Sequence, residues 1–319
     1  MTVDTTWLRC PNCFQDLESV DGRTVGCSTG HRFDESRQGY LTLLPPKAPR
    51  TIGDDRAMLD ARTAFLDTGA YRPIADAVAQ LASGAEPRNR AGGAPGITHR
   101  SASPRLADLG CGTGYYAAIV ARRLGSTDVL LADRSPDAVR AARRSLRSEW
   151  DAWTREPTPA GRSESPGPER ASERLTGVVL DLWRPLPLRD GVADVILDVF
   201  APRNPSEFAR VLAPGGRLIV VVPTVRHLGE LRAEGAMLEI PDGKDEHVVG
   251  QLDTTGLELA DRRRVDTAIE VDAVSRAHLI GMGPSAHHRD EDAAGAGGPE
   301  SPESSITVSV DVLAFEHGR

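Results

Sequence analysis

The sequence predicts an α/β fold with a largely parallel sheet, preceded by a compact unit that carries cysteine and histidine. Three observations lead there. From Arg105 onward, short apolar runs of strand character alternate with amphipathic segments of helical period. A glycine-rich turn stands at the first of these strand-to-helix junctions, in "LADLGCGTGYY". The front of the chain holds three of its four cysteines, in "CPNCFQDLESVDGRTVGC". Alternation of strand and helix implies parallel strands, because each crossover must return over a face of the sheet.

Taken in order, residues 1–46 form the compact front unit, and the paired prolines of "GYLTLLPP" mark its end. The stretch "DDRAMLDARTAFLDTGAYRPIADAVAQLA" has apolar residues at helical spacing, interrupted at "TGAY". It predicts two helices joined by a short turn, within a linker of residues 47–82. The main domain spans residues 83–319 and opens on a loose Gly/Pro/Ser/Arg-rich insert near 83–104. Then "RLADLG" is a short strand, "YYAAIVARRLG" a helix, "DVLLAD" a strand, and "SPDAVRAARRSL" a helix opening on Ser-Pro. After a second loose insert near 151–174, "LTGVVLDL" and "ADVILDVF" read as strands. The helix "PSEFARVL", the turn "APGG" and the strand "RLIVVVP" follow. An acid-rich insert near 289–303 precedes "SITVSVDVLAFE", whose period-two alternation suits an edge strand.

Composition narrows the function classes. At 319 residues the chain can bury a substantial core, and 39% hydrophobic with 26% charged residues describes a soluble globular protein. No run approaches the length of a transmembrane helix, so no membrane association is expected. The N-terminus lacks a basic region followed by an apolar run, and a cytoplasmic location follows. A net charge of -8 weighs against a general nucleic-acid coat protein but leaves room for a local basic surface.

The glycine turn carries the first chemical signal. Asp108 closes a strand, and Gly110, Gly112 and Gly114 let the turn approach a ligand while the next helix presents free N–H groups. Asp133 ends "VLLAD", where a carboxylate can take both hydroxyls of a ribose. The G-x-G-x-G spacing differs from that of dinucleotide enzymes. The second signal is C-x2-C-x13-C-x3-H, formed by Cys10, Cys13, Cys27 and His31. Three thiolates and one imidazole close a tetrahedral Zn2+ site with no position left for a catalytic water, so the metal is structural. Adjacent His287 and His288 read as a loop rather than as ligands of one ion.

Together "DLGCGTGYY", "LLAD" and "EFARVLAPGGRLIVVVP" resemble the class I (Rossmann-like) S-adenosyl-L-methionine-dependent methyltransferases. With "CPNC", "CSTGHRFDESRQGYLTLLPP" and "AFLDTGAYRPI", nearly the whole chain resembles one narrow family. These are the 23S rRNA guanine-N1 methyltransferases that modify the loop of hairpin 35, near the peptide tunnel. The run "LIGMGPSAHH" resembles their tylosin-resistance branch. The resemblance implies a class I methyltransferase fold with a small N-terminal zinc-binding domain, a homodimer, and hairpin 35 of 23S rRNA as partner. It puts cofactor contacts on Tyr71, Gly112, Thr113 and His227, although the family commonly has an acid where this chain has Thr113.

Several positions keep two readings. Tyr71 suits burial between the two helices as well as cofactor contact, and His227 suits a loop histidine. Asp181 can reach an adenine edge or cap the turn before "WRPLP". Guanine N1 is protonated at neutral pH, so its methylation needs a base or a group that stabilises the anion. Asp198 in "LDVFAP" is the candidate base, and Phe200 a candidate stacking partner; otherwise Asp198 ends a strand and Phe200 is core. Two rival functions stand beside the methylation of rRNA. A non-catalytic RNA-binding module fits poorly with the retained glycines and Asp133. A small-molecule methyltransferase would have no need of the front unit, which is expected to grip RNA and to be removable without loss of cofactor binding.

Overall fold

The protein is described by a computed structural model that covers residues 3–45, 53–84, 103–155, 173–283 and 304–318. His287, His288 and most of the three inserts lie outside these residues. The front unit starts with a 3-10 turn (Thr5–Trp7), followed by β1 (Glu18–Ser19), β2 (Thr24–Gly26) and β3 (Arg32–Asp34) in a small antiparallel sheet. Strand β4 (Tyr40–Thr42) and helices α1 (Arg56–Asp67) and α2 (Arg72–Ala82) come next. The alternating region comprises β5 (Arg105–Leu109), α3 (Tyr115–Leu124), β6 (Asp128–Asp133), α4 (Pro136–Trp153), β7 (Arg174–Val179) and β8 (Ala193–Val199). It continues through α5 (Pro205–Val211), β9 (Leu212–Pro223), α6 (Gly229–Ala233), α7 (Lys244–Asp253), β10 (Leu257–Val271), α8 (Ala273–Gly281) and β11 (Ser304–His317).

One eight-stranded sheet organises the molecule, in the order β10-β11-β9-β8-β5-β6-β7-β4. The pairs from β9 to β4 are parallel, and β11 is antiparallel to both of its neighbours. Along β6, Val129 and Leu131 enter one core while Leu130 and Ala132 enter the other, so a near-continuous apolar strand feeds both faces. The first face is covered by α1, α2, α3, α4 and α8, and the second by α5, α7 and the front unit. Helix α1 starts at Asp55, whose carboxylate accepts from Met58 N at 2.9 Å, and α4 starts at Ser135 before Pro136.

The last strand is not at the edge. β11 lies between β9 and β10, and β10 is the outer strand. Its sequence, "LELADRRRVDTAIEV", is mostly exposed and carries charges on both faces, so no hydrophobic alternation announces it. The other edge is β4, which leaves the front unit and pairs in parallel with β7. Between β7 and β8 the described chain forms no helix, and the front unit occupies the second face there. Leu8 bridges Leu188, Arg9 N donates to Pro187 O at 2.9 Å, and Arg189 N donates to Trp7 O at 2.9 Å. Trp7 is fully buried; its indole donates to Asp128 at 2.9 Å, and Arg105 stacks over its ring at 3.9 Å.

Candidate functional site: a cofactor turn, an aromatic wall and a metal cluster

The glycine turn joins β5 to α3 at the carboxyl end of the sheet, where open α/β folds bind their ligands. Gly110, Gly112 and Gly114 all have positive φ, at 92°, 49° and 79°. Close packing adds to this conformational requirement. A Cβ on Gly114 would lie 2.6 Å from Ala142 Cα, and one on Gly110 would lie 2.4 Å from Ala201 Cβ. Beside Gly112 the nearest group is the Arg62 guanidinium, at 3.0 Å from such a Cβ. Arg62 comes from α1, pairs with Asp54 and donates to Met282 O at 2.8 Å, so α1 and the end of α8 meet over the turn. Thr113 is buried within the turn.

Asp133 accepts from Gly112 N at 3.0 Å through one oxygen and from Ser135 N at 2.9 Å through the other. Each oxygen keeps a second lone pair for a ribose hydroxyl. Burial raises the pKa of Asp133, and these two hydrogen bonds oppose the rise. Asp108 is pushed up to about 7, first by burial and then by the neighbouring charge of Asp133. Two buried acids beside the turn suit a cationic ligand with a ribose. S-adenosylmethionine, with its sulfonium and ammonium, is such a ligand. Asp181 is differently employed. It pairs with Arg134 at 2.5 Å and Arg184 at 3.5 Å, and accepts from Trp183 N at 3.1 Å, the turn-capping arrangement.

An aromatic wall stands beside the turn. Tyr71, between α1 and α2, is buried edge-to-face against Phe65, with centroids 5.1 Å apart. Its hydroxyl is 3.3 Å from His227 Nε2, while His227 Nδ1 accepts from Ser309 N at 3.2 Å. That pairing leaves the proton on Nε2, so the neutral imidazole donates to Tyr71. Burial, with the charges of Arg232 and Lys244, lowers His227 to about 4. Phe200 stacks on His227 at 5.8 Å and 21°. It is 41% exposed and adopts φ 54°, a left-handed conformation that is costly for a bulky residue and turns its ring to this wall. Tyr71 and His227 are thus brought together with Phe200.

Asp198 is not brought to the wall. It is fully buried, neither carboxyl oxygen is hydrogen-bonded, and the nearest cation is Arg203 at 4.0 Å. It shares the strand face of Ile196, which packs in the second core, whereas Tyr71 belongs to the first. Burial raises its pKa well above the usual range, partly offset by Arg203. With neither carboxyl oxygen at the surface, Asp198 does not touch a substrate in this arrangement. The cations nearby were not anticipated: Arg203 follows Pro202, and Lys244 opens α7, where burial and then Arg203 lower its pKa. Lone basic residues in loops carry no sequence pattern, so only folding reveals them.

In the front unit the ligand atoms of Cys10, Cys13, Cys27 and His31 all lie within 4.8 Å of one another. Cys13 and Cys27 Sγ are 3.6 Å apart, and His31 Nδ1 is 3.5 and 3.4 Å from Cys10 and Cys27 Sγ. A zinc tetrahedron requires edges of about 3.8 Å between sulfurs and about 3.6 Å from sulfur to nitrogen. The donor set and its spacing fit. Thr29 Oγ1, 3.0 Å from both Cys13 and Cys27 Sγ, is placed to donate to thiolates. Of the front unit's arginines, Arg9 pairs with Asp190, Arg23 donates to Glu35 O, and Arg32 donates to His31 O; Arg37 is exposed.

Fold, glycine turn and metal cluster define a class I S-adenosylmethionine-dependent methyltransferase with an N-terminal zinc ribbon. Residues 8–51 match the RlmA N-terminal zinc-ribbon family, and residues 106–155 match the methyltransferase domain family. The chain is 36% identical over 286 residues to a 23S rRNA (guanine(748)-N(1))-methyltransferase of Streptomyces fradiae, covering 90% of this chain and 88% of that one. A candidate 23S rRNA (guanine-N(1)-)-methyltransferase of Micromonospora griseorubida is 37% identical over 287 residues, covering 89% and 88%. The chain belongs to the family of 23S rRNA (guanine-N1)-methyltransferases. Among the described residues, no helix is long and apolar enough to cross a membrane.

Proposed function

We propose that this enzyme methylates N1 of a guanosine in the loop of hairpin 35 of 23S rRNA, the counterpart of position 748 named for the S. fradiae relative. The modification would confer resistance to tylosin-type macrolides, and the active unit would be a homodimer. The observation that carries the reading is the aromatic wall: a strained, half-exposed Phe200 stacked on neutral His227, next to the cofactor turn. An exposed aromatic at the carboxyl end of β8 suits an extruded base.

When bound, S-adenosylmethionine supplies a methyl group already activated on its sulfonium. The glycine turn and Asp133 would hold the cofactor, and Tyr71 and His227 would line the wall beside it. Phe200 holds the guanine plane so that N1 faces the methyl group, which is the main task of such a catalyst. As the N1 proton passes to solvent water at the open rim, negative charge spreads to O6. Arg203 and Lys244 would meet that charge, and Asp198 would hold Arg203 in place from within the core.

Primer extension tests the reading. After incubation with unmodified 23S rRNA and S-adenosylmethionine, reverse transcriptase should stop at one guanosine of hairpin 35, because N1 methylation blocks pairing. Cells expressing the protein should tolerate more tylosin than cells expressing a Gly112→Val variant. A stop elsewhere in the rRNA, or none, would overturn the assignment.

A further inference from the structure

One exposed aromatic side chain has no part in cofactor binding or methyl transfer as described. Trp183 is 73% exposed, whereas Trp7 and Trp150 are buried. The turn that carries it is braced from several sides. Leu182 is sunk into the core, at 6% exposure. Asn204 Nδ2 donates to Leu182 O at 2.9 Å and to Arg184 O at 3.0 Å. Asp181 accepts from Trp183 N and pairs with Arg134. Exposed apolar residues on a surface are ordinary by themselves. An indole on a braced turn differs, because the ordering cost of presenting it to a partner has been met during folding.

Its position gives it a partner. The turn follows β7 at the carboxyl end of the sheet, the end that carries the glycine turn and Phe200. Asn204 caps α5 directly after the Phe200–Arg203 segment, so its two bonds tie the Trp183 turn to the acceptor side. A Cβ on Gly110 would meet Ala201 at 2.4 Å and Leu182 at 3.6 Å, so the loops after β5, β7 and β8 form one rim. Strands β7 and β8 are three spacings apart in that rim, about 14 Å. Single-stranded RNA of a few nucleotides spans such a distance. Arg184, with 46% of its side chain exposed, follows Trp183 in the chain, and Arg203 lies three residues after Phe200. Their charge complements a phosphate backbone and would not recruit a neutral partner.

We infer that Trp183 is a stacking platform for a second, unpaired base of the substrate RNA, next to the target guanosine in the loop. The enzyme then holds two bases on one rim, the guanine on Phe200 and a neighbour on the indole. Stacking tolerates any base, so Trp183 contributes affinity and register, while chemistry at the wall sets base identity. This inference rests on the reading of an RNA loop as substrate.

The probe is a synthetic RNA hairpin with the hairpin 35 loop, added to the full-length, zinc-loaded protein. Indole emission should fall on RNA addition in wild type, and the fall should be lost in Trp183→Phe, which still binds because phenyl rings also stack. Trp183→Ala should weaken RNA binding roughly 5- to 100-fold, with S-adenosylmethionine affinity unchanged. Wild-type RNA affinity in Trp183→Ala would overturn the inference. So would a loss confined to cofactor affinity, which would place the indole in the cofactor pocket, or a shift from dimer to monomer, which would make it an interface between copies. If wild type does not methylate the hairpin, the proposed function fails first; if it does and Trp183→Ala binds normally, only the stacking inference falls.

Discussion

Asp108 and Asp133 flank the glycine turn, and burial works against the charge of both. With Asp108 pushed up to about 7, much of it is protonated near neutral pH. A bound cation favours the ionised form, so binding S-adenosylmethionine releases a proton at and below that pH. Cofactor affinity should therefore rise with pH toward about 7 and level off above it. Titration calorimetry in buffers of different ionisation enthalpy reads the released proton directly; a flat affinity from acid to neutral pH would exclude the linkage. Asp198 allows a second test. If it only holds Arg203, Asp198→Asn should lower turnover with a pH profile of unchanged shape. A residual rate that climbs steeply with pH would instead identify Asp198 as the proton acceptor. Arg203→Met should cost roughly 100-fold in kcat, the scale of losing one group that stabilises a developing anion. Asp133 was legible at this scale, being a strand-end acid downstream of a glycine turn. Arg203 and Lys244 were not, because isolated basic residues have no period.

Among the elements, the turn between β5 and α3 is the most constrained. Gly114→Ala forces a left-handed alanine and drives its Cβ to 2.6 Å from the backbone of α4 at Ala142. Its cost should be at least the roughly 1–3 kcal/mol of such strain, with α3 pushed away from α4. Gly112→Ala meets only the far end of Arg62 at 3.0 Å, so it should unfold nearer the wild-type temperature while losing cofactor affinity. Thermal unfolding together with cofactor titration separates the two variants; equal losses of stability would contradict the packing argument. Most elements on this half of the sheet were readable, since β5, β6, β8 and β9 are apolar runs and α4 opens on Ser-Pro. The elements α6, α7, β10 and α8 were not. β10 is an exposed edge strand, α6 is five residues long, and short or polar elements owe their form to neighbours rather than to their own period.

For the whole molecule, the zinc ribbon is a structural part of the catalytic body. It fills the second face of the sheet where the chain from β7 to β8 supplies no helix, and β4 completes the sheet edge. Trp7 also satisfies Asp128 beside the buried Arg105–Asp128 pair, 3.2 Å apart. The expectation that residues 1–46 could be removed with cofactor binding spared is therefore replaced. Deletion should expose apolar core and give a protein that aggregates or fails to unfold cooperatively. Removing zinc with a strong chelator should lower the Tm of the whole protein in a single transition, as expected when metal binding supports the fold. Two separate transitions, with an unshifted catalytic part, would restore the picture of an independent module.

The sequence by itself determined the chemistry that depends on local pattern: four zinc ligands at fixed spacing, a glycine turn after an apolar strand, and the strand-helix rhythm of a parallel sheet. Each is encoded within a few tens of residues, where spacing and side-chain type suffice. The tertiary structure alone decided what depends on distant segments meeting. It stacked Phe200 on His227, buried Asp198 against the second face, set β11 inside β10, and joined the ribbon to the catalytic sheet. Those outcomes follow from which faces find apolar partners and which charges lose water, and both are properties of the packed molecule.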